Sequence, residues 1–335
     1  MLKQLVAAIV ALVALGPVAA AAAAAPDYAF FRGKTISYVI ATGSGGGYDT
    51  YGRLLTKHMP KHLPGARFVV RNVPGAGQII GANTIYVARP DGLTFGMFNT
   101  GLIYSQILKL DGRRFDLSKM DWIGSMAEEG RSLAVSKRSG VDSIQEMMAM
   151  KGPIKLAAAG VGSASYIETR ILADVLNLNI QIVTGFFGGD TEMSMMRGEV
   201  VGVLGAASSH DAYVHRGEGR FIVSVAGARS AIQGVPQARQ FVTDPNDLRL
   251  LSLVETLAEL GRFTAGPPGI PPARLAALRA AFLKTVADPQ LLAEAKRLQI
   301  PIVVGSGEEV AAKVNAALNQ PPQVISLLRA AAAIR

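Results

Sequence analysis

Gly43-Ser44-Gly45-Gly46-Gly47-Tyr48-Asp49-Thr50 is the stretch of this chain best equipped for chemistry. Four glycines in five positions suit neither a packed strand nor a helix, because each costs backbone entropy. They do leave backbone N–H groups unshielded. The β-branched run Ile36 to Ala41 before them reads as a buried strand, and a helical period begins at Tyr51. Strand, glycine loop and helix N-terminus in succession aim N–H donors and the positive end of a helix dipole at one point. The chemistry this allows is anion binding, for a carboxylate or a phosphate. A nucleotide P-loop would end in Gly-Lys-Ser/Thr, but the end here is Gly47-Tyr48-Asp49, with no lysine. The dinucleotide fingerprint fails on its final spacing. Asp49 or Thr50 is expected to cap the helix; a carboxylate would not itself meet an anion.

Other reactive side chains assemble nothing comparable. Ser208-Ser209-His210-Asp211 puts triad residue types side by side, yet a triad is built in space and not by adjacency. That run reads as a polar loop leaving a strand, with Ser208 turned to a cleft. Asp49 and Glu192 are the only acids near enough to the loops to act as acid or base, so binding is expected and an enzyme is not. His58 and His62 stand four apart, as two metal ligands can, but Lys57 and Lys61 flank them and no acid is close in sequence. A solvated basic face is the reading, with no metal and no cofactor. Met193, Met195 and Met196 read as buried helix packing. Phe186 and Phe187 serve as pocket wall or as core, and Trp122 as packing near a crossover between lobes.

The glycine loop belongs to a repeated device. Phe68-Val69-Val70 leads into Arg71-Asn72-Val73-Pro74-Gly75-Ala76-Gly77-Gln78, and Gly77 opens a helix to Tyr86. After the Asp91-Gly92 turn, Leu93 to Phe98 ends at Asn99-Thr100-Gly101. Three strand–loop–helix units in a row predict a parallel sheet, with ligands beyond the carboxyl ends of its strands. The device recurs downstream. Leu133 to Ser136 is a strand, and Ser143 to Met150 a helix begun by Asp142 or Ser143. Pro153 to Ala159 ends in Gly160-Val161-Gly162-Ser163, where Ser163 or Ser165 caps the helix Tyr166 to Leu176. Gln181-Ile182-Val183 then runs to Gly185-Phe186-Phe187-Gly188-Gly189-Asp190 and the helix Thr191 to Arg197. Leu275, Leu278, Phe282 and Val286 repeat at helical spacing, a further helix follows Leu291, and both should pack on the first lobe. Two α/β lobes offering helix N-termini to one cleft describe a clamshell.

Composition agrees. The 335 residues, half of them hydrophobic, suffice for two lobes. Lys3, the apolar Leu5 to Leu15 and the small residues Pro17 to Ala25 form a signal-peptide pattern, its apolar part shorter than the roughly 20 residues that span a bilayer. Residues 1–25 are thus expected to be cleaved, and the protein to be exported without being membrane-embedded. The chain contains no cysteine, so neither a disulfide framework nor a lipid anchor on an N-terminal cysteine is available. Its net charge of +9, or +8 without Lys3, is spread along the chain, which argues against nucleic acid.

Gly45-Gly46-Gly47-Tyr48-Asp49, Asn72-Val73-Pro74-Gly75-Ala76-Gly77 and Ala88-Arg89-Pro90-Asp91-Gly92 resemble, in order and spacing, three N-terminal signatures of the tripartite tricarboxylate transporter receptors. These are also called Bug proteins and are periplasmic solute-binding proteins. The resemblance continues through Ala159-Gly160-Val161-Gly162-Ser163, Gly185-Phe186-Phe187-Gly188-Gly189, Arg197-Gly198-Glu199-Val200, Gly227-Ala228-Arg229 with Val235-Pro236, Pro267-Pro268-Gly269-Ile270-Pro271 and Ala287-Asp288-Pro289. Thr42 and Ser44 depart from an aromatic and a proline, Tyr166 from a histidine, and Val201 and Gly205 from aspartates, so ligand identity does not carry over.

The resemblance implies a type II clamshell with a parallel-rich sheet in each lobe and a two-strand hinge. Residues 26–128 with about 258–335 would form the first lobe, and 129–257 the second. It also implies a partner, the large and small membrane subunits of an ion-driven permease, and a monomeric receptor. The expected ligand is a small organic carboxylate, first of all a dicarboxylate. Its binding set would be Thr42, Ser44, Gly46, Gly47, Tyr48, Asp49, Ala76, Gly77, Gln78, Asn99 and Thr100, facing Gly160, Gly162, Ser163, Phe187, Gly188 and Ser208. No lysine or arginine lies in these loops, so dipoles and N–H groups, partly through water, are expected to carry the neutralisation. The alternatives are a sensor presenting its closed form to a membrane kinase, or a receptor for an aromatic carboxylate or an amino acid.

Overall fold

The computed structural model describes residues 24–128, 130–227 and 231–332. The expected signal peptide falls almost wholly outside them, as do Ala228 and Arg229. No helix of the described residues is long and apolar enough to cross a membrane.

Eleven strands are present among the described residues. In chain order they are β1 (Thr35–Ile40), β2 (Arg67–Asn72), β3 (Thr94–Phe98), β4 (Asp121–Ser125), β5 (Arg131–Ser136), β6 (Ile154–Ala158), β7 (Ile180–Thr184), β8 (Gly202–Ala206), β9 (Gly219–Val225), β10 (Phe263–Gly266) and β11 (Gly305–Ser306). They form two sheets, β2-β1-β3-β10-β4-β11 and β7-β6-β8-β5-β9. In the first, β1 pairs parallel with β2 and β3, as the three consecutive units require. The returning β10 then enters antiparallel between β3 and β4. In the second, β6 is parallel to β7 and β8, while β5 is antiparallel to β8 and β9. Both sheets are therefore mixed. The expectation of parallel-rich sheets holds only for the β1–β3 and β6–β8 trios, because each sheet also takes in strands that cross between the lobes.

The chain passes from β4 to β5 in one lobe change and returns between β9 and β10 by way of the helix Pro245–Ala258, which packs on β5, β9 and the helix Ala164–Val175. The helices Pro272–Val286 and Pro289–Arg297 lie on the first lobe, against the helix Gly47–His58. The last helix, Pro322–Ala332, touches Ala164–Val175 and Pro245–Ala258 of the second lobe and Gly101–Leu108 of the first.

Two readings of helix faces are corrected. His58 and His62 do not form a solvated basic face: His58 is buried with Nε2 2.8 Å from Glu294 Oε2, and His62 Nε2 is 3.2 Å from Asp288 Oδ2. Lys57 and Lys61 complete that ionic seam with the same two acids. The acids arrive from the helix Pro289–Arg297 and its cap, more than two hundred residues downstream, which local sequence could not disclose. Met195 is buried as expected, but Met193 and Met196 are exposed, because the helix turns only one methionine of the three inward.

Trp122 on β4 locks the strands that carry both crossovers. Its ring meets Phe98 of β3 and Phe263 of β10 edge to face, at centroid distances of 5.9 and 5.2 Å. Its Nε1 donates to the Leu117 carbonyl at 3.2 Å. Trp122→Ala is expected to cost about 3–5 kcal/mol. Urea unfolding followed by far-ultraviolet circular dichroism measures this, and an unmoved midpoint would contradict the assigned role.

Candidate functional site

Between the lobes lies a cavity of about 180 Å³. That is below the roughly 300–1,000 Å³ of drug-sized sites, so it suits a small metabolite. The first lobe contributes Thr42, Gly43, Gly45, Gly46, Gly47, Tyr48, Gln78 and Asn99, the ends of three successive strand–loop–helix units. The second contributes Arg131, the first turns of the helix Ala164–Val175, the Phe186–Gly189 loop, Thr191, Glu192, the end of β8, Ser209 and His210.

The first loop is organised by Asp49, though not as its helix cap. The helix begins at Gly47 with Gly46 as N-cap, and Asp49 sits in its first turn. The buried carboxylate accepts from Gly45 N–H at 3.0 Å, Arg53 Nε at 2.9 Å and Asn72 Nδ2 at 2.9 Å. It thus ties the glycine loop to its own helix and to the end of β2. Burial pushes its pKa up, but Arg53, the Gly45 N–H and Asn72 outweigh that and hold the carboxyl below its ordinary value.

The second loop is stiffer than its glycines suggest. Ala76, Gly77 and Gln78 all have positive φ, at 45°, 61° and 80°, and two of the three are not glycine. The turn is held because Gln78 Oε1 accepts the Asn99 N–H at 2.9 Å, linking it to the third loop. The helix then starts at Ile79, two residues later than Gly77.

The lobes touch backbone to backbone around the cavity. A Cβ on Gly46 would lie 2.9 Å from Gly188 Cα, one on Gly77 2.8 Å from Ser163 N, and one on Gly101 2.6 Å from Ala164 N. The Ser44 carbonyl faces Gly188, and Gly162 packs on Leu110 of the first lobe.

Of the residues expected to bind ligand, Thr42, Gly46, Gly47, Tyr48, Gln78, Asn99, Phe187 and Gly188 line the cavity. Asp49 lies behind the first loop, and Ser44, Ala76, Gly77, Gly162 and Ser163 lie in or beside the lobe contact. Ser163 caps the helix Ala164–Val175, accepting the Tyr166 N–H and donating to the Gly160 carbonyl. Thr100 Oγ1 accepts from Arg131 Nη2 at 2.8 Å, and Ser208 Oγ from Arg262 Nη2 at 3.2 Å. Both bonds cross between lobes.

Beyond the loops, two arginines delivered by other strands stand at the site. Arg262, fully buried just before β10, lies over the rings of Tyr48 and Tyr51 at 3.9 and 4.9 Å and donates to Ser209 Oγ at 3.0 Å. Arg131 lines the cavity itself, with Nε 2.9 Å from Glu168 Oε2. Glu168 has no exposed side-chain surface, and burial raises its pKa against the pull of the Arg131 charge. The Tyr104 hydroxyl lies beside it. Glu192 pairs with Arg216 at 3.2 Å and faces His210 Nδ1 at 3.8 Å. Arg131, Glu168, His210 and Arg262 are site residues that sequence reasoning misses. The one legible signal is phase, since Ala164, Ser165 and Glu168 share a helix face.

The model of the tripartite tricarboxylate transporter family receptor matches residues 52–328. The chain is 24% identical over 288 residues to a UPF0065 protein of Pseudomonas sp. (strain P51), covering 84% of this chain and 82% of that one. With a UPF0065 protein of Bordetella bronchiseptica it shares 27% over 146 residues, 43% of this chain, and spans only 42% of that relative. Among solved structures, MatC of Rhodopseudomonas palustris with bound malate superposes with a TM-score of 0.73 at 21% identity, covering 88% of this chain and 99% of that one. The periplasmic binding protein BugD gives 0.73 at 20%, over 89% and 97%. These likenesses give the same two-lobe α/β fold.

Asp49→Asn is expected to lower thermal stability at neutral pH by loosening the first loop. The Asp49 contribution is present above the unfolded aspartate pKa of about 3.9 and is lost as pH falls through its lower folded value. The difference in melting temperature between wild type and Asp49→Asn should therefore be constant from about pH 5 to 8 and shrink below about pH 4. A gap that widens on acidification would contradict this.

Proposed function

The chain belongs to the tripartite tricarboxylate transporter receptor family, and on that premise we propose a periplasmic receptor that holds a small organic carboxylate between its lobes. The observation that carries the reading is the cavity where three strand–loop–helix ends meet a second lobe. Donors for one carboxylate are at hand at the N-terminus of the helix Gly47–His58, with the Arg262 guanidinium behind it. Two solved relatives carry malate and adipate, both dicarboxylates, which is the class the sequence leads us to expect. Delivery would be to the large and small membrane subunits of a tripartite permease. The ligand favours the closed form to the extent that it binds both lobe faces at once.

Two measurements test this. Mature protein screened by thermal shift against carboxylates should respond to some of them, by about 2.7 kcal/mol at a hundredfold excess over Kd. Gly47→Leu should abolish the response while the variant stays folded, because a Cβ there would stand 2.7 Å from Arg262 Nη2 and 2.8 Å from Ser209 Oγ. Unchanged affinity in a folded Gly47→Leu would remove the site from this loop.

A further inference from the structure

His210 stands on the second-lobe side of the cavity, in the turn that joins β8 to the short helix Asp211–His215. The residue is buried, but 9% of its side-chain surface stays open, so part of the ring meets the cavity. Nδ1 is shut away and, among the described residues, has no hydrogen-bond partner; Glu192 Oε1 stands 3.8 Å from it. The opposite edge of the ring is different. Gly205, near the end of β8, lines the cavity, and a Cβ there would stand 3.1 Å from Nε2 and 3.6 Å from Cδ2. Glycine at this position leaves that edge uncovered, and Nε2 is the polar atom on it.

The other charges around this ring are engaged. Glu192 Oε2 holds Arg216 at 3.2 Å, and Arg216 also holds Glu218 at 3.1 Å. Arg131 is bound by Glu168 and Thr100, and Arg262 by Ser209 and the Tyr48 ring. Asp211 is the next residue of the chain. A carboxylate on Nε2 would place an anion at each end of the imidazole, with Glu192 at the other. Opposite charges that close favour the charged form, and imidazole changes charge near neutrality, so the ring can match an incoming anion by gaining a proton. The seat of a first carboxylate is near. Ser209 Oγ lies 2.8 Å from where a Cβ on Gly47 would stand, and His210 follows Ser209 at one Cα–Cα step, so a short ligand reaches both.

We propose that His210 receives the second carboxylate of a short dicarboxylate through Nε2, and that the ring takes up a proton from solvent as the dianion binds. This rests on the carboxylate-receptor reading. It makes affinity for dianions, and not for monoanions, rise as pH falls through neutrality.

Titration calorimetry on wild type and His210→Gln decides it, between about pH 6.5 and 8.5, where the ligands' own carboxyls stay ionised. The probes are dicarboxylates of three to six carbons, with the monocarboxylate and the amino-carboxylate of each length. Running each titration in two amine buffers of different ionisation enthalpy counts the protons taken up. Wild type should bind its best dicarboxylate about tenfold more tightly at the lower pH, with uptake of about half a proton or more near pH 7. The monocarboxylate of that length should show neither effect. Glutamine keeps a polar end but cannot take a proton in this range, so His210→Gln should bind the dicarboxylate more weakly, within about twofold across the range and without uptake. The wild-type series stands by itself if the variant does not fold. Level affinity for the dicarboxylate in wild type, or uptake that survives in folded His210→Gln, overturns the assignment of His210 and leaves the carboxylate receptor intact. An amino-carboxylate preferred by wild type does the same, and moves the second contact to Glu192. Silence from every probe overturns the receptor reading as well.

Discussion

The tightest constraint in this molecule is that its two lobes meet through main-chain atoms. Gly46 against Gly188, Gly77 against Ser163 and Gly101 against Ala164 leave no room for a Cβ on the glycine named first. A side chain at any of these points would force main chain apart, since the atom it meets is not the end of a flexible side chain. The glycine-rich loops therefore do two things at once. They leave main chain without side chains at the cavity rim, and they let the two lobes close on one another there. Burial between the lobes in turn raises the cost of every unmatched charge inside.

That cost explains the polar architecture of the cleft. Arg131 reaches from β5 to Thr100 in the other lobe, and Arg262, just before β10, reaches Ser208 and Ser209. Each guanidinium is buried, and each has acceptors or π-faces arranged around it: Glu168 for the first, Tyr48 and Tyr51 for the second. Arg262 even adopts a left-handed backbone, φ 55°, to present its side chain. Such strain persists only where surrounding contacts over-determine it. Both groups can act as fasteners of the closed form as well as sources of positive charge.

Much of the frame was legible in the sequence because it rests on local patterns. The strands ending in glycine loops, the Ser163 cap and the helical stripe from Leu275 to Val286 depend on neighbours in the chain. Contacts made at long range were illegible for the same reason. Arg131 opens β5 and finds its partner Glu168 on a helix one strand further along the chain, and Arg262 meets serines more than fifty residues before it. Glu294 and Asp288 turn an exposed-looking histidine pair into an ionic seam, with His58 buried in it, by arriving from the far end of the chain. Spacing finds the loops that surround a site; it does not find the charges that distant strands deliver to it.

The same distinction bears on how the receptor would discriminate among ligands. Backbone N–H groups at a helix terminus accept any carboxylate, so they set a class and little more. Selection has to come from side chains, from Thr42, Tyr48, Gln78 and Asn99 in the first lobe and from Arg131, Phe186, Glu192 and His210 in the second. Arg131 is held in place among them: it sits on β5, with Nε on Glu168 and Nη2 on Thr100 of the other lobe. A ligand that meets side chains of both lobes ties recognition to closure, because that pairing exists only in the closed form.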